Sequence, residues 1–222
     1  MNSYEKKKRA AEYALNFIKD GMVVGLGSGS TVAIFIKLLG EMVRNEGLDI
    51  IGIPTSYDVE ILAYSSGLKI ASLNEYPFPD IAIDGADEVD PNKNLIKGGG
   101  GALTREKIVD YAAKKLIIIV DDSKLVNKLC SKNPIPLEVL PFSWKNIICR
   151  LKEIGGEAKL RFSKTGKVGP IITDNGNFII DFQPTDILLK DLKQLDINLK
   201  MIPGIFETGI FYGEKIYKVV IG

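Results

Sequence analysis

The feature that most constrains the fold is a series of short apolar runs that alternate with segments of helical spacing. The strongest run is Leu116–Val120, which reads Leu-Ile-Ile-Ile-Val without interruption. A mostly β-branched run of this length is typical of a strand that is buried on both faces of a sheet. The other runs that we interpret as strands are Met22–Leu26, Ile50–Ile53, Lys69–Leu73, Ile81–Asp84 and Leu95–Lys97. Strands that alternate with helices indicate a mainly parallel α/β sheet.

Between these strands the apolar residues recur at helical spacing. The first helix is expected to end at Asp20-Gly21, because glycine accepts the left-handed conformation that closes helices. A second helix is expected to run to about Arg44, with Ser30 or Thr31 as its cap. The remaining helices of this part are expected at Tyr57–Ser65 and Leu103–Lys114.

The pattern changes near Ser131, where prolines at positions 134, 136 and 141 interrupt the chain. Beyond this point the sequence predicts helices at Trp144–Ile154 and Ile187–Leu195, and strands within 158–161 and 170–181 with a turn at Asn175-Gly176. Strands at Ile205–Phe211 and Lys215–Ile221 are expected to return to the first sheet. We therefore predict a large α/β domain, 1–130 plus 204–222, and a small α+β domain, 131–203.

The composition excludes several classes of protein. The 222 residues include no histidine, which excludes Ser-His-Asp and Cys-His catalysis and removes the commonest metal ligand. Cys130 and Cys149 lack metal spacing and are too few for a disulfide framework, so we expect buried structural thiols in a reducing compartment. With 29 basic and 28 acidic residues there is no bulk field to attract nucleic acid or a membrane. No metal, cofactor, nucleic-acid partner or membrane partner is expected.

The amino-terminal segment is polar and rich in lysine, without the apolar segment of a signal peptide behind it. No stretch approaches the roughly 20 apolar residues of a membrane span. A cytoplasmic protein is therefore expected.

The segment Gly25–Thr31, Gly-Leu-Gly-Ser-Gly-Ser-Thr, follows a predicted strand and opens a predicted helix. This arrangement places free backbone N–H groups and two hydroxyls where an anion binds. It is not a dinucleotide fingerprint, because Ser30 occupies the position of the third glycine, and it lacks the Gly-Lys-Ser/Thr of a P-loop. It predicts a phosphate cradle, and the alternative is a tight turn that binds nothing.

Two further clusters carry acidic and basic side chains. Asp84 and Asp87 lie at the carboxyl end of a predicted strand, where open α/β sheets bind ligands, although such residues also bond turn N–H groups. Gly98–Gly101 separates Lys97 from the first turn of a predicted helix that carries Glu106. So many glycines favour a close approach of backbone to ligand. Glu106 could also lie there only because a helix start favours a carboxylate.

Lys124 follows the strongest predicted strand, in Asp121-Asp122-Ser123-Lys124. It could complete a phosphate clamp as a point charge, or it could be a solvated surface lysine. The residue type alone does not decide between the two.

Together the three clusters resemble the ribose-5-phosphate isomerase A family in order and spacing. The residues that carry the resemblance are Gly27–Thr31, Asp84–Glu88 and Lys97–Lys107, with further likeness at Thr173–Asn177 and Ile202–Gly204. The resemblance implies a Rossmann-like catalytic domain, a smaller α+β domain and a homodimer or dimer of dimers. It also implies metal-independent interconversion of D-ribose 5-phosphate and D-ribulose 5-phosphate through an enediolate, in the non-oxidative branch of the pentose phosphate pathway.

The resemblance also implies roles for single residues. Glu106 matches the catalytic base, and Asp84, Asp87 and Lys97 match residues that hold and polarise the sugar oxygens. The implied positions for substrate and phosphate binding are Ser28, Gly29, Ser30, Thr31, Gly98, Gly99, Gly100, Lys124 and Lys7. Thr208 departs from the His or Asn of many relatives, and we expect it at a rim or an interface.

The sequence gives less support to two alternative functions. An amino-sugar phosphate deaminase shares a related phosphate turn, but the histidine expected in such a site is absent. A regulatory module that binds a sugar phosphate without turnover would retain the pocket. An isomerase assay separates that module from an enzyme.

Overall fold

The computed structural model of the chain describes residues 2–163, 166 and 168–222. The helices are α1 (Ser3–Leu15), α2 (Ser30–Glu46), α3 (Tyr57–Ser65), α4 (Leu103–Ala112), α5 (Trp144–Glu153) and α6 (Leu192–Lys200). The strands are β1 (Val23–Leu26), β2 (Ile51–Pro54), β3 (Lys69–Ile70), β4 (Ile81–Asp84), β5 (Glu88–Val89), β6 (Leu95–Ile96), β7 (Leu116–Val120), β8 (Ile135–Val139), β9 (Gly156–Leu160), β10 (Phe178–Pro184), β11 (Ile205–Thr208), β12 (Ile210–Phe211) and β13 (Lys218–Ile221).

The described residues divide into two compact units. The first unit comprises the chain up to Ala86, Arg105–Leu125 and Tyr212–Gly222, and the second comprises Asp87–Thr104 and Val126–Phe211. These bounds differ from the predicted domains, because β5 and β6 pair in a sheet with β12. The domain division predicted from the sequence, 1–130 plus 204–222 against 131–203, stays a prediction.

A parallel sheet with the strand order β13-β7-β4-β1-β2-β3 forms the centre of the first unit. Leu26 of β1 pairs with Ile83 of β4, and Asp84 pairs with Ile118 of β7, so these three strands run in the same direction side by side. All five residues of β7 are buried, which confirms the predicted buried strand. The carboxyl ends of β1, β4 and β7 therefore lie next to one another at one edge of the sheet.

Helices α1 and α2 contribute much of the core of this unit. Ala10, Ala11 and Ala14 of α1 are fully buried, and their small side chains allow a close approach of the neighbouring helix. Phe35 and Leu39 of α2 are also fully buried. Each large apolar side chain buried in this way contributes about 1.5–3 kcal/mol to stability.

The first helix is shorter than the sequence predicted. α1 ends at Leu15, where the N–H groups of Phe17 and Ile18 bond carbonyls three residues back, at 3.1 and 3.0 Å. These tighter bonds end the regular helix before Asp20 is reached. Gly21 then adopts φ 76° and leads the chain into β1.

The second unit contains two antiparallel sheets, with the orders β11-β8-β10-β9 and β12-β6-β5. Strand β8 was not predicted, because Pro136 lacks the N–H that a central strand needs. Pro136 is tolerated because the ladder with β11 stops at Leu137. Its carbonyl still accepts a hydrogen bond from Gly209 N–H at 2.7 Å.

The expectation that Ile205–Phe211 returns to the first sheet is wrong. This segment breaks at Gly209 and supplies β11 and β12 to the two sheets of the second unit, whereas only β13 joins the first sheet, beside β7. A Cβ on Gly209 would lie 2.3 Å from the carbonyl oxygen of Lys97, so the break requires glycine.

No helix among the described residues is both long and apolar enough to cross a bilayer.

Candidate active site

The amino terminus of α2 lies directly beyond the carboxyl end of β1. Gly29, with φ 100°, is the N-cap residue and Ser30 is the first helical residue, so the expectation that Ser30 or Thr31 caps the helix is wrong. Glycine has no side chain to bond the first N–H groups of the helix. Together with the positive end of the helix dipole, these groups favour an anion at this position.

Lysines from α1 approach the same region of the first unit. Lys7 Nζ donates to Ser30 Oγ at 3.0 Å, and Lys6 Nζ donates to the Asp122 carboxylate at 2.6 Å. The hydrogen bond from Lys6 lowers the pKa of the Asp122 carboxyl. Asp122 begins the 3-10 turn that ends with Lys124, just beyond β7, and Lys124 is partly exposed. The predicted phosphate residues of the first unit thus follow β1 or β7, the two strands on either side of β4, or contact the start of α2.

Asp84 is fully buried at the carboxyl end of β4. Its Oδ1 accepts hydrogen bonds from the N–H groups of Gly85, at 2.6 Å, and Ser28, at 3.1 Å. A Cβ on Gly27 would lie 2.1 Å from this carboxylate, so only glycine fits beside it. The structure therefore brings Asp84 into direct contact with the glycine-rich turn.

Ser28 also contacts two hydroxyl groups that the sequence did not point to. Its Oγ lies 2.9 Å from Thr55 Oγ1 and 3.2 Å from Ser56 Oγ. Both residues follow β2, the neighbour of β1 in the sheet, and both are buried. Their place after a predicted strand was the one signal that could have found them.

In the second unit, the glycines after β6 form a turn closed by a hydrogen bond from Gly101 N–H to Gly98 O, 3.0 Å long. Gly98 has φ 100°, and a Cβ there would lie 2.9 Å from Leu103. Gly99 N–H donates to Asp87 Oδ2 at 2.7 Å. The structure therefore joins two of the predicted features, Asp87 and the glycine turn.

In the order of the chain, Lys97 precedes the four glycines and Glu106 follows them. Lys97 is only 2% exposed, and its Nζ lies 5.3 Å from the centroid of the Phe211 ring. Glu106 is 5% exposed and is the fourth residue of α4. Its neighbour Arg105 places its guanidinium 4.7 Å from the centroid of the Tyr57 ring. Glu106 therefore lies at a helix start and is also buried. A carboxylate that only stabilised a helix start would not need to be buried.

Two expectations about single residues are wrong. Thr208 lies at neither a rim nor an interface of the described chain, because it is fully buried and its Oγ1 donates to Asp196 Oδ1. Cys149 is exposed, whereas Cys130 is buried as expected. Burial and the nearby charge of Glu88 raise the pKa of the Cys130 thiol to about 12.

Within the described residues, no group of three or more Cys, Asp or Glu side chains could hold a metal ion.

The carboxyl edge of the parallel sheet carries a glycine-capped helix start, hydroxyl groups and lysines. These features are typical of one class of proteins, the α/β proteins that bind phosphorylated small molecules. Comparison with known proteins narrows this class. The sequence profile of ribose 5-phosphate isomerase A (phosphoriboisomerase A) matches residues 51–222. The chain belongs to the ribose 5-phosphate isomerase A family.

Individual relatives are similar over almost the whole chain. The ribose-5-phosphate isomerase A of Pyrococcus horikoshii is 54% identical over 212 residues, which cover 95% of this chain and 91% of the relative. The structure of ribose 5-phosphate isomerase A from Methanocaldococcus jannaschii matches with a TM-score of 0.94 at 47% identity, covering 100% of this chain and 96% of that one. A D-ribose-5-phosphate isomerase in complex with phospho-erythronic acid matches with a TM-score of 0.94 at 51% identity and the same coverage, 100% and 96%. These similarities confirm the predicted family and the predicted α/β fold class.

Proposed function

We propose that this protein is a ribose-5-phosphate isomerase, which interconverts D-ribose 5-phosphate and D-ribulose 5-phosphate in the non-oxidative branch of the pentose phosphate pathway. The observation that carries the proposal is the 54% identity to the Pyrococcus horikoshii isomerase across 95% of the chain. Because this likeness spans both compact units, it supports the activity of the whole chain.

The reaction needs a base that carries one proton between two carbons. In the aldose-to-ketose direction the base removes the proton on C2, the electron pair forms a C1–C2 double bond, and the C1 carbonyl oxygen becomes an oxyanion. A proton passes from the C2 hydroxyl to that oxygen, and the base returns its own proton to C1. We assign the base to Glu106, a 5% exposed carboxylate in a chain without histidine.

The oxyanion and the sugar hydroxyls need partners as well. We assign stabilisation of the oxyanion to the Lys97 ammonium and to backbone N–H groups of the glycine turn, because fixed donors in a buried setting act more strongly than in water. We assign ring opening and hydroxyl proton transfer to Asp84 and Asp87. The contact of Gly99 N–H with Asp87 supports a link between the turn and the second carboxylate.

The 5-phosphate would bind at the start of α2. We assign it to the hydroxyls of Ser30 and Thr31 and the ammonium of Lys124, with Ser28, Gly29 and Lys7 as further contacts. The hydrogen bond from Lys7 to Ser30 supports the inclusion of Lys7. Phosphate binding far from the reacting carbons holds C1 and C2 in place against the base.

A direct assay tests the function. Purified protein incubated with ribose 5-phosphate and a chelator is expected to form ribulose 5-phosphate, since a chain without histidine and with two distant cysteines offers no recognisable transition-metal site. The ketose is measured directly. No conversion would contradict the proposal, and activity that returns only with added divalent metal would contradict the metal-independent mechanism.

Replacing Lys124 by alanine is expected to raise KM by about 10-fold or more, because a hydrogen bond to a charged group contributes about 1.5–3 kcal/mol. Turnover should change much less, since the phosphate is bound alike in the ground and transition states. Lys37→Ala is the matched control, an exposed lysine further along α2. An unchanged KM in Lys124→Ala would place Lys124 outside the phosphate clamp.

We also propose that the protein is a homodimer, or a dimer of dimers, from its family and from the prevalence of two-fold assemblies. Sedimentation velocity at micromolar concentration is expected to give at least twice the mass of the chain. A monomer alone at that concentration would contradict the proposal. The cytoplasmic location inferred from the sequence stays a prediction.

A further inference from the structure

Arg161, the residue after β9, contacts the glycine turn through two of the carbonyl groups of the turn. Its Nη1 donates to the carbonyl oxygens of Gly98, at 2.8 Å, and Gly99, at 3.0 Å. The guanidinium also forms a two-point ion pair with Asp181 of β10, with Nε 2.9 Å from Oδ2 and Nη2 bonded to Oδ1. All five nitrogen-bound hydrogens of arginine lie in one plane, so the pair with Asp181 fixes the direction of Nη1.

Because the peptide group is planar, fixing its carbonyl also fixes the direction of its N–H. The carbonyl of Gly98 and the N–H of Gly99 belong to one trans peptide group and point in opposite directions. Because Arg161 holds that carbonyl, the N–H of Gly99 is directed away from Arg161, and it meets Asp87 Oδ2 at 2.7 Å.

The next peptide group is held in the same way. Arg161 holds the carbonyl of Gly99, so the N–H of Gly100 also points away from the guanidinium. Gly100 is exposed, and a Cβ built on it would meet no described atom within 4 Å. Two successive N–H groups therefore face away from Arg161, and the first of them meets a carboxylate.

We propose that Arg161, oriented by Asp181, is a positioning residue for the isomerisation. It fixes the Gly99 N–H on Asp87 and directs the Gly100 N–H to the oxyanion that forms on the sugar during the reaction. This inference rests on the proposed function. Glycine residues lose more conformational freedom on ordering than any other residue, so a turn of four glycines needs an external restraint to hold its N–H groups in one direction. Arg161 supplies this restraint without touching the substrate.

The alternative is that Arg161 only stabilises the fold. In that case its replacement would lower the melting temperature and leave turnover of the folded protein unchanged. A positioning role predicts a fall in kcat at a temperature where the variant is fully folded, with little change in KM, because the phosphate contacts lie elsewhere in the chain.

The test compares Arg161→Ala and Arg161→Lys with Lys159→Ala, which removes the same charge from a side chain 82% exposed on β9, two residues earlier in the chain. We expect kcat to fall by about 10- to 100-fold in Arg161→Ala, the effect of misplacing a catalytic group by up to 1 Å. Lysine cannot form the planar two-point pair, so Arg161→Lys should also lose turnover. Lys159→Ala should retain wild-type kcat.

Rescue by a small cation completes the test. Millimolar guanidinium ions should raise kcat of Arg161→Ala and leave Lys159→Ala and the wild type unchanged. If Arg161→Ala does not fold, Arg161→Lys carries the kinetic comparison. Normal kcat in the folded Arg161 variants, or a loss that is confined to KM, would overturn the inference while leaving the proposed function intact. A wild-type protein that does not convert ribose 5-phosphate would instead overturn the proposed function, and the role of Arg161 with it.

Discussion

Replacing Glu106 by glutamine is expected to lower turnover by about 10²- to 10⁴-fold, the usual contribution of a general base. Glutamine keeps the size of the side chain and its position on α4 but cannot accept a proton from carbon. The chain has no histidine that could act instead, and Asp84 and Asp87 are assigned to the sugar oxygens. Substrate affinity should change much less, since the carboxylate acts on the reacting carbons.

The competing role for Glu106, stabilisation of a helix start, makes the opposite prediction. It predicts near-normal turnover and a loss of stability of at most about 1 kcal/mol. Glu60→Gln is the matched control, because Glu60 is likewise the fourth residue of its helix, α3. Turnover and melting temperature are measured for both variants. Turnover above a tenth of the wild-type value in Glu106→Gln would remove this residue from the role of base.

The sequence predicted the first unit well because its information there is local. Strands buried on both faces leave continuous apolar runs such as Leu116–Val120, and α3 and β4 begin and end at the residues that the sequence predicted. The glycines and carboxylates at the strand ends were visible for the same reason. A parallel sheet then brings its carboxyl ends to one edge, so the grouping of Asp84 with Ser28 follows from topology.

The second unit was predicted less well because its order depends on contacts between distant residues. Arg161 reaches back more than 60 positions to Gly98, and no local pattern marks it. The helix expected at Ile187–Leu195 is instead a short 3-10 turn followed by α6, since Asp191 accepts a hydrogen bond from Gln194 N–H and starts a new helix. Strand β8 was not predicted because it contains Pro136.

Glu138, the fourth residue of β8, makes the largest set of these long-range contacts. Its side chain is fully buried, and its carboxylate accepts hydrogen bonds from four neutral side chains in two separate segments of the chain. Oε1 accepts from Thr173 Oγ1 at 2.8 Å and from Asn177 Nδ2 at 2.9 Å, and also from Asn175 Nδ2 at 3.0 Å. Oε2 accepts from Thr104 Oγ1, in the first turn of α4.

Replacing Glu138 by leucine is therefore expected to destabilise the second unit by about 3–9 kcal/mol. Thr104, Thr173 and Asn177 are at most 7% exposed, and each buried donor that loses its acceptor costs about 1–3 kcal/mol. Such a loss is a large part of the roughly 5–15 kcal/mol by which domains are stable. Urea unfolding followed by fluorescence of Trp144 measures the change, because Trp144 is the single tryptophan and begins α5 in this unit.

Two control variants separate the buried acceptor from the loss of a charge. Glu138→Gln should lose much less stability, because its carbonyl oxygen can still accept from Thr173 and Asn177 while its amide donates to the Thr104 hydroxyl, which can donate or accept. Glu157→Leu makes the same replacement as Glu138→Leu at a side chain 82% exposed on β9, and it should change the free energy of unfolding by no more than about 0.5 kcal/mol. If Glu138→Leu unfolds at the wild-type urea concentration with an unchanged m-value, the four bonds to Glu138 do not hold this unit together. If Glu138→Gln is as unstable as Glu138→Leu, the negative charge rather than the hydrogen bonds is what the unit requires.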